Sequence, residues 1–157
     1  MIRHILPILC FLTFACAPTS TITSKSSVTD VELESAILQA RDSLDTFITK
    51  IAAPHANRTF VAIKVRFAPS GEMPQDIWVD EVLYKDGVFQ GNIGDDIPTL
   101  KLEAGERIEI NESAILDWMI VEDEKLIGGY TICLAVQHMS PEEREQFLET
   151  LDYSIED

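Results

Sequence analysis

The amino-acid sequence predicts an α+β domain in which helices pack on a strongly twisted antiparallel sheet of about five strands. Three observations lead to this fold class. Apolar residues recur at helical spacing early in the domain, and short segments of alternating apolar and polar residues follow, separated by turn signals. A strong helix start at Ser140 lies near the end of the chain.

The first element is an amphipathic helix, predicted from about residue 30 to residue 52. Thr29 and Glu32 have the spacing of a capping box, in which each side chain accepts a hydrogen bond from the other residue's backbone amide. Pro54 is expected to end the helix. The apolar positions, three or four residues apart, are Leu33, Ile37, Ala40, Leu44, Phe47 or Ile48, and Ile51.

The middle of the chain is predicted to form the sheet. Asp86 and Gly87 supply the positive φ that a tight hairpin turn requires, and a strand ending at Val121 is expected to meet its neighbour across the acidic turn 122–124. The predicted strands are residues 60–67, 76–84, 88–93, 106–110 and 116–121.

The last part of the domain contains one open assignment and one firm prediction. The apolar run 130–138 fits a strand or a helix equally well. A C-terminal helix is predicted after Ser140, which is a good N-cap, because Pro141 suits the first helical position and acidic residues follow at the positive end of the dipole. Residues 29–157 are therefore expected to form a single α+β domain.

The first 15 residues have the pattern of a signal peptide. A short basic start at Arg3 and His4 precedes an apolar run, and Ala15 stands directly before Cys16. The run is shorter than the roughly 20 residues that a membrane-spanning helix needs. Residues 13–16 resemble a bacterial lipobox, which implies a lipid attached to Cys16. The alternative is a plain secreted protein in which Cys16 is removed or incidental.

A flexible tether, rich in Ser and Thr, is predicted at residues 16–28, because this composition offers little to bury. The protein is therefore expected to be exported and anchored to the bacterial envelope through its N-terminal lipid. Ala17 after Cys16 resembles the outer-membrane sorting pattern, which favours the outer membrane facing the periplasm.

Composition narrows the classes of partner. The formal net charge of −15 disfavours nucleic-acid binding and would attract a basic protein partner. The alternative is that the acidic surface serves only solubility. Only Cys133 belongs to the predicted domain, and His55 and His138 lie in different elements without the spacing of metal ligands. We therefore expect no metal site, no cofactor and no intramolecular disulfide. Motifs for nucleophilic catalysis or phosphate binding are absent from the sequence.

The most distinctive residues are Asp117-Trp118-Met119 and Gly128-Gly129-Tyr130-Thr131. Together with residues 77–79, 89–91 and 105–106, they resemble the YegJ-like bacterial family known as domain of unknown function 2314 (DUF2314), over about residues 44–145. The family has no established activity. In its pattern a glycine often stands at the turn position of Glu124, and a basic residue often stands at the position of Cys133.

We predict a shallow ligand pocket around these motifs, with Asp117 and Thr131 as its polar groups. The alternative is that the tryptophans fill the core, the glycines form a bend and Asp117 binds backbone amides. No catalytic residue is assigned. The predicted pocket residues are Trp78, Asp117, Trp118, Gly128, Gly129, Tyr130 and Thr131.

The sequence leaves three hypotheses about function. The leading one is a non-enzymatic, lipid-anchored envelope protein that binds another protein or an envelope component. The second is a small hydrolase or transferase that uses Asp117 with a neighbouring acid. The third is an immunity-type protein whose acidic surface neutralises a basic toxin.

Overall fold

A computed structural model describes residues 27–68 and 73–156 of the 157-residue chain. Within these residues the chain forms four α-helices and a six-stranded antiparallel sheet, which confirms the α+β class. The predicted signal peptide, Cys16 and most of the predicted tether lie outside the described residues. No helix in the described part of the chain has the length and apolar character that crossing a bilayer requires.

The elements follow one another in the order helix, sheet, helix, with a short 3₁₀ turn at Glu112–Ala114. Their bounds are α1 Asp30–Asp42, α2 Leu44–Ala52, β1 Arg58–Phe67, β2 Gln75–Lys85, β3 Val88–Ile93, β4 Arg107–Ile110, β5 Ile115–Glu122, β6 Lys125–Gly128, α3 Tyr130–Gln137 and α4 Pro141–Glu149.

The sheet has the strand order β4-β3-β2-β1-β5-β6, and every neighbouring pair is antiparallel. The expectation of about five strands is therefore wrong by one. The additional strand, β6, has only four residues and pairs with β5 from Glu122↔Lys125 to Met119↔Gly128. Asp123 and Glu124 in the connecting turn have φ values of 51° and 59°. Glycine adopts this left-handed conformation more easily than an acidic residue does.

The N-terminal helical region starts as predicted but is not one continuous helix. The Thr29–Glu32 capping box is present, with both reciprocal hydrogen bonds formed. The helix is interrupted at Ser43, whose Oγ donates to the carbonyl of Gln39 at 2.8 Å. The indole of Trp118 donates to the carbonyl of Ala40 at 2.9 Å. Both bonds compete with helical pairing, and this explains the break between α1 and α2.

The main hydrophobic core lies between these two helices and one face of the sheet. Aromatic rings form its centre, because Phe47 of α2 packs 5.1 Å from Trp118 and 6.0 Å from Phe89, measured between ring centroids. The fully buried members of the core include Ala40, Phe47, Ile63, Val65, Val79, Phe89, Ile93, Ile115, Trp118 and Ile120.

A smaller core lies on the opposite face, where Ala62, Met119 and Val121 are buried. Ile132 of α3 and Tyr153 of the C-terminal segment pack against it. All eight residues of β5 are consequently buried, since this strand is covered on both faces.

Two short segments complete the domain. The run 130–138, which the sequence left open between strand and helix, forms α3. The predicted start of α4 is confirmed, with a Ser140–Glu143 capping box and Pro141 at the first position. After α4, the backbone of Ser154 bonds to Glu124 and Leu126, so the C-terminal segment covers the outer edge of β6.

Candidate functional site

The carboxylate of Asp117 lies at the junction of β5, β6 and α3. Its side chain is 0% exposed and accepts four hydrogen bonds. One oxygen accepts from the amides of Trp118 and Tyr130 at 2.8 and 3.1 Å, and the other accepts from the amide and the hydroxyl of Thr131, both at 2.7 Å. This carboxylate therefore has no route to a substrate in the described structure.

The physical role of Asp117 is to cap helix α3 from a different element. The residue at the N-cap position is Gly129, which has no side chain to accept a hydrogen bond from the first amides of the helix. Asp117 supplies that acceptor and places negative charge at the positive end of the helix dipole. Burial raises the pKa of Asp117, although the hydrogen bonds to its carboxylate oppose the shift.

A second polar cluster joins α1, β5 and α3 on the other face of β5. The hydroxyl of Ser43 lies 3.1 Å from the indole nitrogen of Trp118 and accepts a hydrogen bond from the hydroxyl of Tyr130 at 2.9 Å. The rings of Trp118 and Tyr130 meet edge to face, with centroids 5.9 Å apart. Each polar atom on these aromatic rings has a partner, as buried Trp and Tyr require.

Gly128 and Gly129 allow the backbone to pass close to Trp118. Their φ values are 76° and 65°, in the region where only glycine avoids strain. A Cβ added at Gly128 would lie 2.5 Å from the carbonyl oxygen of Trp118 and 2.6 Å from its ring. Gly128 is therefore favoured by both backbone conformation and space, whereas a Cβ at Gly129 would meet only the side chain of Leu126.

The seven predicted pocket residues lie on both faces of the sheet. Asp117 pairs with Lys64 on β1, as Trp78 does, so these two side chains share one face and Trp118 lies on the other. Trp78 and Trp118 lie on opposite faces of the sheet, because their partners on β1, Lys64 and Ile63, are consecutive residues. Trp78 is half-buried in the smaller core, with the ammonium of Lys64 6.0 Å from its ring centroid. That the seven residues bind a ligand stays a prediction.

A groove of about 420 Å³ lies between α1 and α3, beside Tyr130. Gly128 and Tyr130 line it, so it is the part of the predicted pocket that opens to solvent. Cys133 is half-buried in its wall, with Sγ 4.0 Å from the carbonyl of Gly128. The other lining residues are Glu32, Ser35, Ala36, Gln39, Leu134 and Gln137.

His55 and His138 lie apart, at the ends of different elements. His138 contacts Glu32 at 3.2 Å, whereas His55 lies 3.5 Å from Asp123. Within residues 27–68 and 73–156, no group of three or more His, Cys, Asp or Glu side chains has the arrangement of a metal site.

A buried ion-pair network that the sequence analysis did not identify lies near the β5–β6 turn. Glu122 is 7% exposed, and Arg58 donates to it twice, at 2.9 and 2.7 Å. Lys50 donates to it at 3.3 Å, and Arg58 also bonds the carbonyl of Lys50 at the end of α2. Burial raises the pKa of Glu122, but the hydrogen bonds from Arg58 and Lys50 outweigh this and leave it below its ordinary value.

We expect Glu122→Gln to reduce the acid sensitivity of the fold. At neutral pH the substitution should lower the free energy of unfolding by about 2 kcal/mol, since Arg58 loses its buried partner. Because the folded pKa of Glu122 is lowered, its contribution is complete above the ordinary value of 4.5 and is lost as pH falls through the folded value. The difference between wild type and variant should therefore shrink in acid, as measured by urea denaturation from pH 7 to pH 3.

Comparing wild type with Glu122→Gln at the same pH removes the contribution of Asp117, because both proteins contain it. The raised pKa of Asp117 contributes with the opposite sign, because stability from its protonated form is lost as pH rises through its folded value. Glu149→Gln, at an exposed position of α4, is the control and should leave the pH profile unchanged. A constant gap between wild type and Glu122→Gln across this range would contradict the assignment.

Two residues of the site were missed by sequence reasoning for different reasons. Ser43 had a local signal, because a serine within an apolar helical pattern is a weak helix former that bonds preceding carbonyls. Arg58 had none, since its partner Glu122 is 64 residues away. Charged residues are common in this chain, and sequence spacing does not identify such a pair.

A comparison with protein families matches nearly the whole folded region described above. A family model described as "Uncharacterized protein conserved in bacteria (DUF2314)" matches residues 30–153. The chain is similar to the uncharacterized protein YegJ of Escherichia coli (strain K12), with 34% identity over 101 residues. That alignment covers 64% of this chain and 64% of YegJ. No solved structure matches the chain.

Proposed function

The chain belongs to the DUF2314 family of bacterial proteins, and from this premise we propose that it is an exported, lipid-anchored envelope protein that binds a protein or an envelope component. It acts by binding rather than by catalysis. Its acidic surface faces the periplasm, and its partner is basic.

The observation that carries the binding role is the position of Asp117. This acid belongs to the most distinctive motif of the chain and was the candidate catalytic group. Its carboxylate is fully enclosed and accepts three of its four hydrogen bonds from α3 and the fourth from Trp118, so it has a structural role. A hydrolase or transferase that uses Asp117 would have to expose it by opening the β5–α3 junction.

The proposed export and lipid anchoring rest on the first 16 residues. A basic start, an apolar run too short for a membrane span, and Ala15 before Cys16 together favour export and lipid attachment. Stable anchoring requires two or more acyl chains, which the lipobox resemblance implies as a thioether-linked diacylglycerol on Cys16 and an acyl chain on its amino group.

Mass spectrometry of the mature N-terminus tests the proposed export and lipid anchoring. We expect a lipid-modified Cys16 at the first position, recovered in the membrane fraction. Cys16→Ser should shift the protein to the soluble fraction, whereas Cys133→Ser should leave it membrane-bound. An unmodified N-terminus, or unchanged fractionation of Cys16→Ser, would overturn the anchor.

The acidity of the chain favours an immunity-type role among binding functions. A net charge of −15 accelerates association with a basic protein and makes it sensitive to salt. If the protein neutralises a basic toxin, its presence in the envelope should protect cells from that toxin, and the protection should depend on Cys16.

A further inference from the structure

Strands β1 and β2 separate along part of their length. They pair from Phe67↔Gln75 to Ala62↔Asp80, and within the described residues the pairing stops there. Strand β1 continues to Arg58, where it pairs with β5. Four residues of β1, 58–61, therefore have β5 on one side and no neighbouring strand on the other.

Two irregularities bend the strands apart. On β2, the pairing with β3 shifts register between Asp80 and Leu83, and Glu81 between them has a left-handed φ of 47°. On β1, the pairing with β5 shifts between Arg58 and Phe60, which makes Thr59 the extra residue. Bulges of this kind increase local twist and end pairing between strands.

The separation forms an open cleft of about 610 Å³ with an apolar rim. Phe60 on β1 is 40% exposed and Leu83 on β2 is 57% exposed, and both line the cleft. Backbone groups of an unpaired strand edge are a ready template for another strand. The other lining residues are Ile51, Arg58, Thr59, Val61, Asp80, Glu81, Val82 and Arg107.

The charged side chains of the cleft indicate which kind of partner it binds. Arg58 is paired with Glu122 at 2.7 Å, and Arg107 lies 3.9 Å from Glu81. Asp80 remains in the wall, and no cation of the described residues forms an ion pair with it. The positive lining groups are thus matched by acids, while one acid is left over, on a chain of net charge −15. A second copy of this chain is repelled, and a basic segment is attracted.

We propose that this cleft binds an extended, basic segment of a partner protein, which adds a strand to the open edge of β1 at residues 58–61. The proposal rests on the binding function proposed above and assigns its surface. Main-chain hydrogen bonds to β1 supply affinity, as in other cases of strand addition. Phe60 and Leu83 contact alternate apolar side chains of the segment, and its cations face Asp80.

A synthetic peptide of alternating lysine and valine tests the cleft directly. The full chain in neutral detergent is titrated with this peptide by isothermal calorimetry and by amide NMR spectroscopy. Binding with the largest amide shifts at residues 59–61 supports the proposal. A peptide with glutamate in place of lysine should not bind, and one with alternate prolines should bind at least about tenfold more weakly, because proline cannot donate backbone hydrogen bonds.

Leu83→Lys is the decisive variant and Leu38→Lys is its matched control. Both leucines are exposed, but Leu38 lies on α1 and does not line the cleft. We expect Leu83→Lys to weaken peptide binding about tenfold and Leu38→Lys to change it less than twofold. Phe60→Lys provides a second cleft variant if Leu83→Lys perturbs the fold. Equal binding by the cleft variants and the control would overturn the proposal, as would shifts confined to other residues.

Capture of the partner protein by wild type and variants distinguishes a wrong cleft assignment from a wrong binding function. If wild type, Leu38→Lys and Leu83→Lys all retain the same partner, the binding function stands and the cleft assignment is wrong. If none of the three retains a partner and the peptide does not bind, both proposals fail. Self-association of wild type that Leu83→Lys abolishes would make a second copy the occupant and would contradict the basic partner.

Discussion

Asp117→Asn is expected to lower the free energy of unfolding by about 3 kcal/mol, more than most single substitutions in this chain. Asparagine keeps the size of the side chain but offers one acceptor oxygen, while its amide group would face hydrogen-bond donors of Tyr130 or Thr131. The start of α3 would then contain unsatisfied buried amides. Urea denaturation followed by circular dichroism measures the loss.

Asp76→Asn is the matched control for this experiment. Asp76 also accepts two hydrogen bonds, from Arg66, but its side chain is 31% exposed. We expect a loss below about 1 kcal/mol there, as for exposed ion pairs. Hydrogen exchange should accelerate at the α3 amides in Asp117→Asn alone. A loss below 1 kcal/mol in Asp117→Asn would refute the capping role.

Gly128→Ala is expected to destabilise the fold by about 3 kcal/mol, through two effects that add. An alanine at a φ of 76° is strained, and its Cβ would lie 2.5 Å from the carbonyl oxygen of Trp118. That oxygen belongs to buried backbone and accepts a hydrogen bond from Gly129 at 2.7 Å, so it has little freedom to move. Thermal and urea unfolding measure the effect.

Gly87→Ala is the control that separates the backbone strain of Gly128→Ala from its steric crowding. Gly87 has a φ of 84°, but a Cβ added there meets no atom within 4 Å. We expect a loss of about 1 kcal/mol from conformational strain alone. If the two alanine variants lose the same stability, close packing against Trp118 is not the reason for glycine at position 128.

The parts of the fold that could be predicted from sequence are those set by local interactions. Thr29 and Ser140 start helices through contacts that span three residues. The Asp86–Gly87 turn has the positive φ values that its residue types favour. Alternating strands also needed no tertiary information, because one face of each must be buried.

The parts that could not be predicted depend on contacts between distant segments. The break at Ser43 depends in part on the indole of Trp118, which donates to the carbonyl of Ala40, 78 residues away. The capping of α3 by Asp117 required knowing that residues 130–138 form a helix, which their apolar composition did not decide. Trp78 and Trp118 are both predicted pocket residues, but register places them on opposite faces of the sheet.

The D-W-M and G-G-Y-T motifs are therefore explained by packing in this chain. Asp117, Gly128 and Thr131 build one rigid junction, and each residue type is needed for its geometry. Resemblance through these motifs is evidence for the fold. The chemistry of partner recognition depends on other surfaces, such as the cleft beside Phe60.

Because the two tryptophans lie on opposite faces of the sheet, their fluorescence reports on two different parts of the fold. Trp118 is 1% exposed in the main core, whereas Trp78 is half-buried beside Lys64 on the other face. Their fluorescence should differ, with blue emission from Trp118 and redder emission from Trp78. Trp78→Phe would leave Trp118 as the single tryptophan, which reports on the α1–α2 layer. Loss of that layer could then be timed separately from loss of the smaller core.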